Sequence, residues 1–152
     1  MRLLPITSPG AESWERPAAF SIRAIKWLTY GEASAYLEAV DSSGNSTYIT
    51  EGELRVSHRR LELAPFENLG LPYHTHFESD CQLFTPGEPF ELALDLLPTA
   101  WWFSPGSRIR FTVAFADADN FSTPVLDPAP IVQLYHDMHH PSFVELPILR
   151  SA

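Results

Sequence analysis

Alternation of apolar and polar residues along much of the chain predicts short β-strands. In residues 108–116, RIRFTVAFA, every second residue is apolar, as expected for a strand with one face on a core and the other in solvent. Gly, Pro, Asp and Ser separate such stretches, as turn residues do between strands. Further strands are predicted at residues 33–40, 47–60, 73–80, 90–96, 131–137 and 142–149. Closely spaced strands without a long helical period favour an all-β fold, and specifically a β-sandwich.

Residues 47–60, TYITEGELRVSHRR, have an unusual alternation. On a strand one face would carry Tyr48, Thr50, Gly52, Leu54, Val56 and His58, and the other Glu51, Glu53, Arg55, Ser57 and Arg59. Residues 108–116 place Arg108, Arg110 and Thr112 outward, with Ile109, Phe111, Val113 and Phe115 toward the core. Two strands with charged outer faces predict either exposed ion pairs or a surface that meets another domain.

The first 32 residues are less regular, and we treat them as a divergent segment before a sandwich domain at residues 33–150. Residues 18–30, AAFSIRAIKWLTY, are apolar enough to replace a missing edge strand. An uncovered sheet edge exposes unpaired backbone groups, so a substitute strand is physically reasonable. In that hypothesis the segment contributes Phe20, Ile22, Ile25 and Trp27 to the core.

Composition narrows the possible partners. Ten basic and nineteen acidic residues give a net charge of −9, which repels nucleic acids and anionic membranes. No apolar run is long enough to span a bilayer, and the opening MRLLPITSPG is too short for a signal-peptide core. We therefore expect a cytoplasmic protein, with homo-oligomerisation left open. Cys81 is the single cysteine, so an internal disulfide is excluded.

Motifs for catalysis are missing from the sequence. A serine hydrolase of the α/β type needs a G-x-S-x-G elbow, and the nearest stretch, Gly44-Asn45-Ser46, lacks the second glycine. Phosphate-binding and dinucleotide-binding glycine patterns are missing as well. We therefore predict no catalytic residue and no cofactor in this chain.

Histidines offer the one plausible set of metal ligands. His74 and His76 would share a face of a strand, and His136, His139 and His140 could complete a shell with Asp137. The alternative is ordinary hydrogen bonding to carboxylates such as Glu78 and Asp80. We favour hydrogen bonding and predict no metal, because no carboxylate or cysteine stands at a specific spacing.

Two other stretches have alternative interpretations. Asp117–Phe121 carries two acids and an asparagine, which could bind calcium or form a turn through their own backbone, and we favour the turn. Trp101, Trp102 and Phe103 precede Pro105-Gly106. They could form a carbohydrate platform, but core plugs or interface anchors are more common. A carbohydrate-binding β-sandwich module remains the alternative function.

Four stretches carry a family resemblance: TYITEGELRVSHRR, TPGEPFELALDLLPTAWWF, RIRFTVAFADADNF and HPSFVELPIL. In this order they resemble the C-terminal non-catalytic domain of the X-prolyl dipeptidyl-peptidase and cocaine-esterase family of serine hydrolases, over residues 34–149. The resemblance implies a galactose-binding-like jelly-roll β-sandwich that packs on an α/β-hydrolase domain with a Ser, Asp and His triad. That partner would lie in the same chain or, here, in another chain. None of the triad positions has a counterpart in this sequence.

The resemblance also assigns structural positions, and the charged strand faces supply a candidate interface. Three short motifs of the family have counterparts here: a strand with glycine, arginine and histidine-arginine, a Pro-Gly turn, and a later strand with glycine and arginine. The matching residues are Gly52, Leu54, Arg55, Ser57, His58 and Arg59 for the first, Pro86 and Gly87 for the second, and Gly106, Arg108 and Arg110 for the third. Ser107 departs from the family, which usually has histidine there. We therefore expect a non-catalytic accessory domain of a dipeptidyl-peptidase or ester hydrolase. Its candidate domain interface comprises Glu53, Arg55, Arg59, Arg108 and Arg110.

Overall fold

Strands dominate the structure and confirm the all-β prediction. The computed structural model describes residues 2–5, 19–24, 31–83, 85, 87–120, 127 and 131–148. Its strands are β1 (Arg2–Pro5), β2 (Ala19–Ala24), β3 (Glu32–Val40), β4 (Ser46–Arg55), β5 (Phe90–Asp95), β6 (Arg108–Ala114), β7 (Leu134–Tyr135) and β8 (Phe143–Ile148). Short 3₁₀ helices span Val56–His58 and Glu78–Asp80. No helix in the described ranges is long and apolar enough to cross a membrane.

The strands form two sheets. The three-stranded sheet has the order β4-β3-β6 and is antiparallel throughout. The five-stranded sheet has the order β1-β8-β2-β5, with β7 also pairing with β2. Strand β2 has neighbours on both sides, since Ala19 to Ala24 pair with β5 and Ala19 to Ser21 with β8. The division of the chain at residue 32 stays a prediction. The predicted core roles of Phe20, Ile22, Ile25 and Trp27 also stay predictions, because the structure does not describe the side chains of these residues.

Both sheets contribute to one hydrophobic core, which makes the fold a β-sandwich. Leu37 and Leu54 come from the three-stranded sheet, while Leu92 and Leu146 come from the five-stranded sheet. The predicted inward residues of the stretch 108–116 are confirmed, because Ile109, Phe111 and Val113 of β6, and Phe115 after it, pack against this core. Full burial of a leucine side chain stabilises a fold by about 1.5–3 kcal/mol, so this cluster is the main source of stability.

The two sheets also meet at a backbone contact between β4 and the end of β5. The N–H of Leu97 donates to the carbonyl of Glu51 at 2.8 Å, and Thr50 Oγ1 donates to the carbonyl of Leu97 at 2.8 Å. Gly52 follows Glu51 on β4 and faces the backbone of Asp95. The edge of one sheet is therefore fastened to the other by hydrogen bonds as well as by apolar packing.

Three predicted strands differ in the structure. Residues 47–60 do not form one strand, because β4 ends at Arg55 and the 3₁₀ helix Val56–His58 turns the chain. Residues 73–80 form no strand, because His76 has a left-handed backbone (φ 58°) and a 3₁₀ helix follows. Residues 131–137 contain only the two-residue β7.

Candidate interaction surface

The outer face of the three-stranded sheet carries two groups of paired charges. Near one end, Arg55 Nη2 lies 3.1 Å from Glu32 Oε1. Near the other, Arg110 donates through Nε and Nη2 to both oxygens of Glu38, each at 2.8 Å. Arg108 is exposed at the same end of β6. The alternation of β4 and β6 therefore puts Glu53, Arg55, Arg108 and Arg110 on one sheet face, as the sequence indicated.

Glu38 is the centre of the stronger group. Besides Arg110, it accepts hydrogen bonds from Thr112 Oγ1 at 2.7 Å and Ser46 Oγ at 2.8 Å. These donors favour the ionised carboxylate, and the hydrogen bonds from Arg110 and then Thr112 lower the pKa of Glu38 from 4.5 to about 2. Glu38 is thus held as a carboxylate at any physiological pH.

Between the paired groups lie acidic side chains, Glu51, Glu53 and Asp117, that make no ion pair among the described residues. Partial burial raises the pKa of Glu53, and the charges of Glu51, Asp117 and Glu32 raise it further. Tyr36 donates its hydroxyl to Asp117 Oδ2 at 2.6 Å, which lowers the pKa of Asp117. The outer face is therefore not a uniform lattice of ion pairs, since acids prevail at its centre.

Arg59 does not lie on this face, which corrects the prediction for that residue. The 3₁₀ helix after β4 redirects the chain, and the Arg59 guanidinium donates to the carbonyls of Val56, Gln82 and Leu83. The same guanidinium lies 4.7 Å from the ring centroid of Phe90, a cation–π distance. Arg59 therefore closes the base of a long loop, residues 59–83, which we call the pinned loop.

The pinned loop is held by several further contacts. Arg60 pairs with Glu62 at 2.7 Å and with Asp80 at 2.8 Å, and Thr75 Oγ1 donates to Asp80 at 2.6 Å. The Gln82 N–H donates to the carbonyl of Ser57 at 2.8 Å. Phe66 and Tyr73 stack edge to face across the loop, with ring centroids 5.6 Å apart. The loop has no strand of its own, yet it has a defined shape.

His74 fastens the pinned loop to β5. Its Nδ1 lies 3.0 Å from the carbonyl of Arg60, and its Nε2 lies 2.9 Å from the carbonyl of Ala93. His74 is almost completely buried. Carbonyl oxygens only accept hydrogen bonds, so both contacts are hydrogen bonds when each ring nitrogen carries a proton. The predicted carboxylate partners are wrong for His74, which uses backbone carbonyls instead.

His58 and His76 form a pair at the same place. Their Nδ1 atoms lie 3.0 Å apart, and burial together with the charge of His76 lowers the pKa of His58. His74 and His76 do not share a strand face, since no strand forms there. Among the described residues no group of three or more His, Cys, Asp or Glu side chains is arranged to hold a metal.

The other candidate ligand stretches form turns. Asp137 Oδ1 accepts the N–H groups of His139 and His140, each at 2.8 Å, so these residues are tied to their own backbone. Asp117 Oδ1 accepts the N–H groups of Asp119 and Asn120 at 3.1 and 3.3 Å. Both aspartates make the local bonds typical of aspartate turns.

The turn glycines of the family motifs adopt conformations that favour glycine. Gly87 and Gly106 have φ of 89° and 85°. Ser107, at the departure from the family pattern, donates its N–H to the carbonyl of Ser104 at 3.0 Å in the Gly106 turn. Pro86 lies outside the described residues.

The exposed large apolar side chains include a tryptophan pair and a group on the pinned loop. Trp102 is 77% exposed and Trp101 is 48% exposed, so neither is a core plug. The exposed apolar residues of the pinned loop were not predicted from the sequence. Their spacing has no period that would distinguish exposed residues from core residues. These residues are Leu61, Leu63, Phe66, Leu69, Phe77 and Leu83.

Comparison with known proteins identifies the family. The model of the X-Pro dipeptidyl-peptidase C-terminal non-catalytic domain matches residues 30–125. The chain belongs to this family. It is also 42% identical over 122 residues to "Putative serine esterase Mb1866c" of Mycobacterium bovis and, equally, to "Putative serine esterase MT1883" of Mycobacterium tuberculosis. The matched region is 79% of this chain but 19% of each relative, so the chain spans about a fifth of their length.

Proposed function

We propose that this chain is the accessory β-sandwich of an α/β-hydrolase of the dipeptidyl-peptidase and cocaine-esterase type. It would act by packing on a catalytic domain in the same chain or in a partner chain. One observation carries the proposal: the chain matches a non-catalytic domain family and corresponds to a fifth of two relatives named as serine esterases. The galactose-binding-like character of the sandwich and the cytoplasmic location belong to the same proposal.

A non-catalytic role is consistent with the chemistry on the described surface. Catalysis by a serine hydrolase requires a nucleophile beside a base that a third group orients. The histidines at the pinned loop bond to carbonyls or to each other, and those near Asp137 are tied to a turn. The proposed activity therefore belongs to the assembly and uses the partner domain's residues.

The test is a chimeric esterase in which this chain replaces the matched segment of the Mycobacterium bovis relative. Ester hydrolysis by the chimera should approach that of the parent, while this chain alone should not exceed a buffer blank. An unrelated β-sandwich of similar size, inserted at the same place, is the matched control. If this chain rescues no better than the control, the accessory role is wrong.

Carbohydrate binding is the second candidate, favoured by the adjacent and exposed Trp101 and Trp102. Exposed aromatic rings can stack on the apolar faces of other molecules. Titration of the chain with a panel of oligosaccharides, followed by tryptophan fluorescence, tests this function. A saturable change that disappears in Trp102→Ala would favour it over the accessory role.

A further inference from the structure

We propose that the pinned loop, residues 59–83, is the surface on which the catalytic domain of the esterase docks. This inference rests on the proposed function and deepens it by naming the contact surface. Six large apolar side chains of the loop are exposed, among them Leu63 at 94%, Leu83 at 75% and Phe77 at 65%. Such a concentration of exposed apolar residues is typical of an interface.

The backbone of the loop supports the same inference. Leu69 and His76 have left-handed φ angles of 59° and 58°, and they are the non-glycine residues with positive φ in the described part of the chain. Backbone strain of this kind persists where surrounding contacts hold it, and it concentrates at functional sites. Here the Leu69 N–H donates to Glu67 Oε1 at 2.9 Å, and His76 Nδ1 lies 3.0 Å from His58 Nδ1. The loop is thus shaped before any partner arrives, which limits the entropy lost on binding.

Charge also favours the loop over the outer sheet face. Arg60 lies against both Glu62 and Asp80, so these loop carboxylates are compensated locally. On the sheet face, Glu51, Glu53 and Asp117 lie near one another and make no ion pair among the described residues, where Arg55 pairs with Glu32 and Arg110 with Glu38. Removing uncompensated carboxylates from water is costly, and interface centres are depleted of charge. The loop can therefore be covered by a protein surface at lower cost than the sheet.

The occupant follows from the length of the relatives. The region that matches this chain is 19% of each mycobacterial relative, so about four-fifths of each relative lies outside it. Because this chain belongs to a non-catalytic domain family, we place the catalytic residues of the relatives in that remainder. A domain in the same polypeptide is present at high effective concentration, so a modest apolar surface suffices for stable docking. We therefore assign the catalytic part of the esterase, and not a second copy of this chain, to the pinned loop.

The experiment uses the chimeric esterase with protease sites at both junctions of this chain. After cleavage, sedimentation reports whether the chain stays bound. The test variant combines Leu63→Asp, Phe77→Asp and Leu83→Asp, all at exposed positions, so the melting temperature of the isolated chain should not change. Met138→Asp is the matched control, because Met138 is 95% exposed but lies outside the loop. A second variant, Glu53→Gln with Arg55→Gln and Arg110→Gln, tests the outer sheet face.

We expect the loop variant to dissociate, with affinity at least tenfold weaker, while the control and the sheet variant stay bound. Release of the sheet variant alone would overturn the loop assignment and leave the accessory role intact. Release of the unmodified chain after cleavage would contradict the accessory role itself. A dimer of the isolated chain that the loop substitutions disperse would assign the loop to a second copy and overturn the inference.

Discussion

Gly52 faces the backbone of Asp95 so closely that a Cβ built on Gly52 would lie 1.8 Å from the Asp95 carbonyl oxygen. The same atom would lie 2.9 Å from Leu94 Cδ1, in the core. No side chain fits in that space, so glycine is required where β4 passes the end of β5. The family glycine at this position is therefore explained by the close approach of the two sheets.

Gly52→Ala should lower the free energy of unfolding by about 3 kcal/mol, because β4 must move away from β5 to admit the methyl group. Denaturant unfolding measures this change. Gly44→Ala is the control: Gly44 has φ of 91° but open space around its Cα. It should cost about 1 kcal/mol from backbone conformation alone. Equal losses in the two variants would refute the steric explanation.

Glu38→Gln and Glu53→Gln should change stability in opposite directions at neutral pH. The pKa of Glu38 is lowered to about 2 in the fold, so its carboxylate stabilises the fold above its ordinary value of 4.5. That contribution is lost as the pH falls from 4.5 toward 2. Glu38→Gln should cost about 1 kcal/mol at pH 7, since Arg110 remains half exposed.

The pKa of Glu53 is raised, so its charge opposes folding above its ordinary titration range. Glu53→Gln should therefore stabilise the chain at pH 7, and the gain should vanish in acid. Urea unfolding between pH 2 and pH 7 measures both variants. A loss of stability in Glu53→Gln at pH 7 would mean that a cation compensates this carboxylate.

Arg59→Lys should destabilise the fold by about 1–2 kcal/mol, although it preserves the charge. A lysine ammonium lacks the planar fork that reaches the carbonyls of Val56, Gln82 and Leu83 together. Arg108→Lys is the matched control, because Arg108 is an exposed residue of β6. It should change the free energy of unfolding by less than about 0.5 kcal/mol. Hydrogen exchange at the pinned loop should accelerate in Arg59→Lys only. Unchanged exchange there would contradict the role of Arg59 in closing the loop.

Metal removal should leave the melting temperature unchanged, since both ring nitrogens of His74 contact backbone carbonyls, and Nδ1 of His58 contacts Nδ1 of His76. Calorimetry with and without a chelator measures this. His74→Leu should lower the free energy of unfolding by about 2 kcal/mol both with and without the chelator, because the carbonyls of Arg60 and Ala93 lose their contacts with the imidazole. Stoichiometric metal in the purified protein, lost together with stability in His74→Leu, would identify a metal site that we do not predict.

The regular strands were predictable because their side-chain period is local. In β6 the apolar residues Ile109, Phe111 and Val113 alternate with polar ones, so five consecutive residues define the face toward the core. The alternation in β3 is equally clear. The pinned loop was not predictable, because its contacts join distant positions: Arg59 reaches Leu83, and His74 reaches Ala93. Without those contacts, its alternating residues resemble a strand.

The candidate interface shows the same limit. Alternation was enough to put Glu53, Arg55 and Arg110 on one face. It could not pair Arg110 with Glu38, which is 72 positions earlier and lies on another strand. A local period also could not place Arg59, because a three-residue turn at Val56–His58 decides its direction.

Cys81 gives the pinned loop a built-in chemical reporter. It is the single cysteine of the chain, and it is exposed. It lies between Asp80, which pairs with Arg60, and Gln82, whose carbonyl accepts a hydrogen bond from Arg59. A thiol-reactive reagent will therefore mark one site, close to the apolar side chains. Labelling of Cys81 should be slow when the pinned loop is covered in an assembled enzyme and fast when the chain is separated. The labelling rate would therefore report coverage of the loop over time, and no residue would need to be substituted.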